Sequence, residues 1–226
     1  MTEELLAVNN FNVPEGSKMI EEDILYCYCF YVEPAFKYEL QASYWENQPK
    51  NLMAMAHDVE FRREDERLTL DFLEDFTEDF TGDRVLDICG GIGRYGKLLK
   101  VLFSKIDLLD LKPSFGDIPV SKQGKLMPAN LRDIDRHISY HSYDCIFGNW
   151  ALSYIGYEAV SKVLACLYMG LKPGGTMILK ETILEEYEST PRLCPTGQWM
   201  ITRPVRAIEQ CLMKNFDIVK SVDIRQ

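Results

Sequence analysis

Apolar positions along the chain follow two different periods, and the change from one to the other marks the elements. Val85, Leu86 and Ile88 form a compact apolar run of buried-strand type. A glycine cluster follows, and Arg94, Tyr95, Leu98, Leu99 and Leu102 then recur at the spacing of one helix face. A second apolar run, 106–109, ends in Asp110, so the pattern predicts strand, tight turn, helix, strand. Further on, 143–147 predicts a strand closed by Gly148, Asn149 and Trp150. Ala159, Val160, Val163, Leu164, Leu167 and Leu171 trace a helix, stopped by Lys172, Pro173, Gly174 and Gly175. Residues 176–180 predict a fifth strand, while Val205, Ile208, Leu212 and Phe216 mark a last helix with a strand over 218–224 behind it. Between 112 and 129, Pro113, Gly116, Pro119 and Gly124 predict a loop in place of a full crossover helix, with a short third strand ahead of Leu131. Residues 181–203 show no clear period. Alternating strands and helices predict an α/β chain with a doubly wound, mostly parallel sheet and a ligand at the carboxyl ends of its strands.

Ahead of this domain the pattern is weaker. Residues 1–17 are polar and broken by Pro14 and Gly16. Ile20, Ile24, Leu25, Tyr28 and Tyr31 or Val32 stand at helical spacing up to Pro34, although 26–32 is aromatic enough for a strand. A further helix over 36–46 ends in Tyr44 and Trp45, with Pro49 as its stop. Two adjacent aromatics at a helix end either cover a ligand or pack. The expected organisation is a partly helical extension over 1–42 and one domain over 43–226, since 226 residues, 46% of them hydrophobic, build one sizeable core.

Charge narrows the function. The formal net charge is −10, and residues 58–83 alone hold eleven acids against three arginines, so nucleic acid is excluded as a partner. The same stretch carries Leu68, Phe72, Leu73, Phe76 and Phe80 at helical spacing, which reads as a helix with a solvated acidic face or as a lure for a basic substrate. Seven cysteines show no metal-ligand spacing, so no metal site is expected, and reduced thiols in a cytoplasmic or nuclear protein follow. No apolar run reaches membrane-spanning length and the first twenty residues lack a basic start followed by an apolar core, so neither a membrane nor secretion is expected.

The chemistry concentrates at the glycine turn. Gly90, Gly91 and Gly93 let the backbone approach a ligand closely, and the first N–H groups of the helix offer donors. Asp110, seventeen residues past Gly93, stands where an acid at the tip of the second strand accepts from both hydroxyls of a ribose. Strand, turn, helix and acid together favour a nucleoside-type cofactor site over a merely structural turn.

Residues 87–94, Asp110, 143–150 and the turn at 171–175 together resemble a class I S-adenosylmethionine-dependent methyltransferase. Within that superfamily, Tyr44-Trp45 with Gln48-Pro49 behind it, Gly-Ile-Gly-Arg at 91–94, Asn149-Trp150 and Ile201-Thr202-Arg203 resemble the α-N-terminal protein methyltransferases, which methylate the free amine of proteins beginning Xaa-Pro-Lys. The resemblance covers the chain from about Phe36 onward. It implies S-adenosyl-L-methionine as cofactor, held by Trp45, Cys89, Gly91, Gly93, Arg94 at the methionine carboxylate, Asp110 at the ribose, Leu131 and Arg132 near the adenine, and Asn149. It implies a protein N-terminus or peptide as substrate, with Trp150, Tyr154, Thr182 and Gln198 at the catalytic, acceptor-side positions. Four of these depart from the family pattern: Cys89 replaces the first glycine of the turn, Tyr154 a histidine, Thr182 an asparagine and Gln198 an acid. Glu181, Glu185 and Glu186 either substitute for the lost carboxylates or lie on a solvated loop. The family also has one more terminal strand, so the strand over 218–224 is expected at a sheet edge or completed by a protein partner. The rival reading is a catalytically silent methyltransferase-like subunit that acts through such a partner.

Overall fold

The computed structural model describes residues 36–49, 59–74, 82–184, 192–193 and 199–218. Five parallel strands form the main sheet: β1 (Gly82–Ile88), β2 (Phe103–Asp110), β3 (Gln123–Pro128), β4 (Tyr143–Asn149) and β5 (Leu171–Lys180), in the order β3-β2-β1-β4-β5. The chain therefore winds outward from β1 to β3, then returns to lay β4 on the other side of β1. At that reversal the connections leave β1 and β4 in opposite directions, which opens a crevice at their carboxyl ends.

The strands are buried on both faces because successive apolar side chains feed two separate cores. Leu86, Ile88, Leu109 and Ile146 pack on one side with Val163, Leu164 and Leu167 of helix α4 (Tyr157–Gly170). Val85, Ile106 and Phe147 pack on the other with Leu99 of α3 (Gly96–Leu102) and Leu73 of α2 (Val59–Glu74). Helix α1 (Tyr38–Asn47) precedes these, and α5 (Val205–Leu212) packs Cys211 into the first core.

Most of the expected elements are present, with three corrections. The short third strand expected ahead of Leu131, at the end of the span otherwise read as a loop, is not among them: it is present as β3, of which only Met127 is buried. The stop at 172–175 is an excursion within β5, where the register to β4 shifts between Tyr143 and Cys145 and Gly174 takes φ 78°. The aperiodic span 181–203 holds a second small sheet, β6 (Ile183–Leu184), β7 (Arg192–Leu193) and β8 (Ile201–Pro204), in the order β6-β8-β7; strands this short carry no readable alternation. The acidic helix α2 does not expose all its acids, since Asp65 is 1% exposed. The elements expected over 18–34 and 219–224, and with them the sheet edge expected to take a protein partner, lie outside the described residues.

One carboxylate ties four strands of the sheet together. Asp107 on β2 is fully buried and accepts from the Arg84 guanidinium of β1 at 2.7 Å, from the Tyr143 hydroxyl of β4 at 2.9 Å and from the Lys125 N–H of β3 at 2.8 Å. Gly124 is required beside it, because a Cβ there would lie 2.0 Å from Oδ1 of Asp107. Asp107→Ala strands three donors, though Arg84 can turn to water. The expected cost is about 3 kcal/mol, read as a lower urea midpoint at unchanged slope; an unchanged midpoint would show that the network adds no stability.

Candidate active site

The carboxyl ends of β1, β2 and β4 frame one cleft of about 820 Å³, its open mouth included. Its floor is the turn after β1. There φ is positive at three alternate residues, Cys89 (55°), Gly91 (56°) and Gly93 (69°), so the chain coils tightly, with Gly93 N bonded back to Gly90 O at 2.9 Å. Asp110 braces this turn: its Oδ2 accepts from Gly91 N at 3.1 Å and its Oδ1 from Lys112 N at 2.9 Å. Gly90 packs against the carboxylate of Asp87, where a Cβ would lie 2.5 Å away.

Of the residues assigned to the cofactor, Trp45, Cys89, Arg94, Asp110, Leu131 and Asn149 line the cleft, and Gly91 and Gly93 shape its floor. Arg132 does not line it. Its guanidinium lies 4.1 Å from the Tyr38 ring on α1, and neither residue is among those that line the cleft. Of the acceptor-side residues, Trp150 and Tyr154 line the cleft; Thr182 is exposed beyond β5, and Gln198 lies outside the described residues.

Cys89 explains why a glycine is preferred at its position. A left-handed backbone costs a residue with a Cβ roughly 1–2 kcal/mol, and Cys89 carries that cost with its N–H held to Leu109 O at 2.7 Å. Burial pushes its thiol well above the ordinary value, with Asp110, Glu181 and Asp87 adding to the shift, so the group in the cleft is a neutral thiol.

Arg94 is placed by a cluster that the sequence reading missed. Asp65 receives Arg94, Lys180 of β5 and the Tyr95 hydroxyl on one buried carboxylate, and Lys180 also bonds Thr69 Oγ at 2.9 Å. Glu66 holds Nε of Arg94 at 3.5 Å. Burial pushes the Asp65 carboxyl up, but Lys180, Tyr95 and Arg94 outweigh it and hold it below its ordinary range. The signal was available: Asp65, Thr69 and Leu73 stand at i, i+4 and i+8, the inward stripe of α2.

Two buried acceptors in the cleft, Oδ2 of Asp87 and Oδ1 of Asn149, have no hydrogen-bond partner among the described residues. Burial, then Asp110, pushes the Asp87 carboxyl well above its ordinary range. Glu181 is neither of the things expected of it. Its Oε1 accepts from Leu152 N at 2.7 Å and its Oε2 from Ser153 Oγ at 2.9 Å, so it braces a turn and is not a free acceptor-side carboxylate.

Helix α1 closes the cleft from above. Gln41, 4% exposed, donates to Tyr154 O at 3.0 Å and accepts from Asn130 Nδ2 at 3.4 Å, joining the two walls. Tyr38 accepts from Gly156 N at 3.1 Å and donates to Glu158 at 2.8 Å; burial, the largest influence, helps push its hydroxyl up to about 12. Trp45 meets Tyr154 edge to face at 5.7 Å. Of the two roles open to the aromatic pair, Trp45 therefore covers the cleft while Tyr44 packs against it at 5.2 Å.

The architecture is that of the Rossmann-like methyltransferases. A SAM-dependent methyltransferase of Leishmania major superposes with TM-score 0.69 at 20% identity, over 79% of this chain and 72% of that one. A geranyl diphosphate C-methyltransferase from Streptomyces coelicolor A3(2) gives 0.60 at 15% identity, over 80% of each chain. At these identities the likeness is one of fold. In sequence the chain is similar to phosphoethanolamine N-methyltransferase 1 of Triticum aestivum, 27% identical over 167 residues, and to its Zea mays counterpart, 27% over 166. These matches cover 68% and 67% of this chain but 32% of each relative, so the chain spans about a third of their length. No family model matches the chain.

Two predictions follow from the strained turn and the buried cluster. Cys89→Gly and Cys89→Ala both lose the thiol, but only glycine relieves the left-handed backbone, so the glycine variant should be the more stable by about 1 kcal/mol in chemical denaturation. Equal stabilities would remove the strain argument. Asp65 has a folded-state pKa below its ordinary 3.8, so its stabilising contribution is fully present above that pH and is lost as pH falls through the lower folded value. The stability gap between wild type and Asp65→Asn should narrow as pH is taken below 3.8; a constant gap would contradict the shift.

Proposed function

We propose that the chain is an S-adenosylmethionine-dependent N-methyltransferase acting on the α-amino group of protein N-termini. The observation that carries this reading is the cleft at the strand reversal, in which Arg94, Asp110 and two buried unpartnered acceptors converge on one cavity. The donor set fits the cofactor. Arg94 retains Nη1 without a hydrogen bond among the described residues, suited to a carboxylate. Asp110, whose oxygens accept from Gly91 N and Lys112 N, stands at the tip of β2 and lines the cleft, where a carboxylate suits ribose hydroxyls. Asp87 and Asn149 supply acceptors for an ammonium group, and Leu131 and Ala129 supply an apolar wall for the base.

When bound, S-adenosylmethionine supplies a methyl group activated on a sulfonium. This chain's part is to hold an amine lone pair in line with it behind Trp150 and Tyr154 and under α1. Burial, then the neighbouring Cys89 and Glu181, raise the Tyr154 hydroxyl far above its ordinary value, so it holds the amine as a neutral donor or acceptor and does not remove its proton. An α-amine has a reference pKa of about 7.7–8.0 and is partly neutral near pH 7, so no strong base is needed. The charges around the cleft favour such an acceptor over a phosphorylated amine. Arg94 and Lys180 are engaged by Asp65, while Asp87 and Asp110 line the cleft and, with Glu181, lie close enough to raise the Cys89 thiol. The rival reading, a silent subunit, is favoured by Cys89 at a glycine position and by the engagement of Glu181.

Calorimetry with S-adenosylmethionine and its demethylated product should show binding, weakened by roughly 1.5–3 kcal/mol in Asp110→Ala through loss of charge-assisted hydrogen bonds. In a mass-spectrometric assay, peptides beginning Ser-Pro-Lys should be methylated only when their amine is free, and Trp150→Ala should abolish it. Labelling of N-acetylated peptides would move the acceptor to a side chain, phosphoethanolamine turnover without peptide turnover would move it to a small amine, and binding without any transfer would favour the silent subunit.

A further inference from the structure

The turn that carries Trp150 and Tyr154 is short, buried and strained. Trp150 has φ 56°, a left-handed conformation that is costly for a bulky residue, and its N–H is held to Lys180 O at 2.7 Å. Ala151, Leu152, Ser153 and Ile155 are almost fully buried, so the turn's backbone groups need partners within the protein. A single 3-10 turn over Leu152–Tyr154 satisfies few of them, with bonds of 3.2 and 3.4 Å from Tyr154 N and Ile155 N.

Side chains from three distant elements supply the rest. Glu181, just past β5, takes the N–H of Leu152 and the hydroxyl of Ser153. Arg203 of β8, 5% exposed, donates to Leu152 O and to Ile155 O, both at 2.7 Å. From α1, Gln41 takes Tyr154 O and Tyr38 takes Gly156 N. Both peptide groups that flank the Leu152 Cα are thus gripped, the preceding one at its N–H by an acid and the following one at its C=O by a guanidinium. The two clamping groups sense each other, since Arg203 is among the influences that lower the Glu181 carboxyl against its burial.

We infer that Glu181 and Arg203 are positioning residues: a buried acid–guanidinium clamp that fixes the turn over Leu152–Tyr154 and thereby holds Trp150 and Tyr154 as a rigid wall against the acceptor amine. The inference deepens the methyl-transfer reading and rests on it for its kinetic consequence. It also gives the small sheet a purpose, because β8 pairs with β6 and β7 and so carries Arg203 at a fixed depth beneath the wall. Lysine cannot replace the guanidinium fully. Arg203 spans two carbonyls three residues apart with a planar fork, and an ammonium is a single point on a flexible stem. Glutamine at 181 keeps one acceptor oxygen, so it can serve Leu152 N or Ser153 Oγ but turns a donor toward the other.

The test uses the full chain and separates the clamp from the activity. Amide exchange by mass spectrometry over 150–156 is compared in wild type, Arg203→Lys, Arg203→Met and Glu181→Gln, with thermal melting as a control for folding. Exchange should rise about tenfold or more in Arg203→Met while protection of β1 and β4 is unchanged, and Arg203→Lys should fall between Met and wild type. In the free-amine peptide assay the same order should appear in kcat, with a drop of about tenfold in Arg203→Met and a KM within about threefold of wild type. Wild-type exchange rates over 150–156 in a folded Arg203→Met protein would overturn the clamp. Loss of protection throughout the sheet in Arg203→Lys and Glu181→Gln as well as Arg203→Met would make it a general structural element and overturn the positioning role. If wild type transfers no methyl group to any amine, the methyl-transfer reading fails, while the exchange measurement still decides the clamp.

Discussion

A carboxylate taken out of water must be surrounded by donors, and Asp65 meets that requirement by binding α2 to two separate parts of the sheet. Arg94 and Tyr95 come from the turn after β1, Lys180 from the end of β5. Removing one member would leave a buried charge unmatched, so the three elements hold one another in place. The arrangement also sets the character of the cleft. Two cations, Arg94 and Lys180, share the buried Asp65 anion, Glu66 at the rim pairs Arg94 as well, and Arg94 is thereby fixed at the cavity wall. Aromatic faces hold the guanidinium from other directions, Tyr95 at 4.9 Å and Trp150 at 5.8 Å. The same network that anchors α2 thus links the cofactor side of the proposed site to its acceptor wall.

Strain is concentrated where those two sides meet. Cys89 and Trp150 both have positive φ, and they stand at the carboxyl ends of adjacent strands, β1 and β4, whose Ile88 and Gly148 are paired. A parallel pair gives no hairpin to turn the chain sharply, so each strand leaves the sheet through a left-handed residue that its surroundings hold in place. Leu109 O holds Cys89 N, and Lys180 O holds Trp150 N. Gly148 is the narrow point between them: a Cβ there would lie 2.9 Å from both Ile88 and Leu179. Close packing at the sheet's end therefore brings the floor of the cleft and its acceptor wall together.

What the sequence made legible follows from the range over which each signal acts. The strands, helices and glycine turn rest on local periodicity and on backbone requirements at single residues, and Trp45, Arg94, Asp110, Leu131 and Asn149 stand at fixed offsets from those elements, so all reach the cleft. Local signals failed where side chains act across long sequence separations. Asp65 meets Lys180 across 115 residues, Gln41 meets Tyr154 across 113, and Arg203 meets Leu152 across 51. Asp65 and Gln41 read as ordinary polar residues on helices, and Arg203 stood in a motif that says nothing of its partner. Arg132 stands one residue past Leu131, and a 3-10 turn rotates neighbouring side chains about 120° apart, so Leu131 lines the cleft while Arg132 stacks on Tyr38. Glu181 showed its charge in the sequence and hid its partners, which are backbone groups of a turn 28 to 29 residues earlier.

On the proposed reading, the departures from the family pattern form a consistent set. Tyr154 in place of a histidine, Thr182 in place of an asparagine and Gln198 in place of an acid take titrating or chelating groups away from the acceptor. Meanwhile Glu181, the acid nearest that wall, is fully engaged by Leu152 and Ser153. Reactivity then has to come from geometry and from exclusion of water. The structure is built for both, with Trp45 and Gln41 closing the cleft from α1 and the Glu181–Arg203 pair stiffening the opposite side. A methyl group leaving a sulfonium needs an uncharged lone pair in line and carries positive charge away from the sulfur. Asp87 and Asp110 line the cleft beside the neutral thiol of Cys89 and the neutral phenol of Tyr154, and their oxygens are acceptors toward that charge. An active site of this kind would depend little on any single base and strongly on the rigidity of two turns, the one at Cys89 and the one at Trp150. Both are left-handed, half-buried and fastened from outside, so rigidity is the property that the surrounding residues most directly secure.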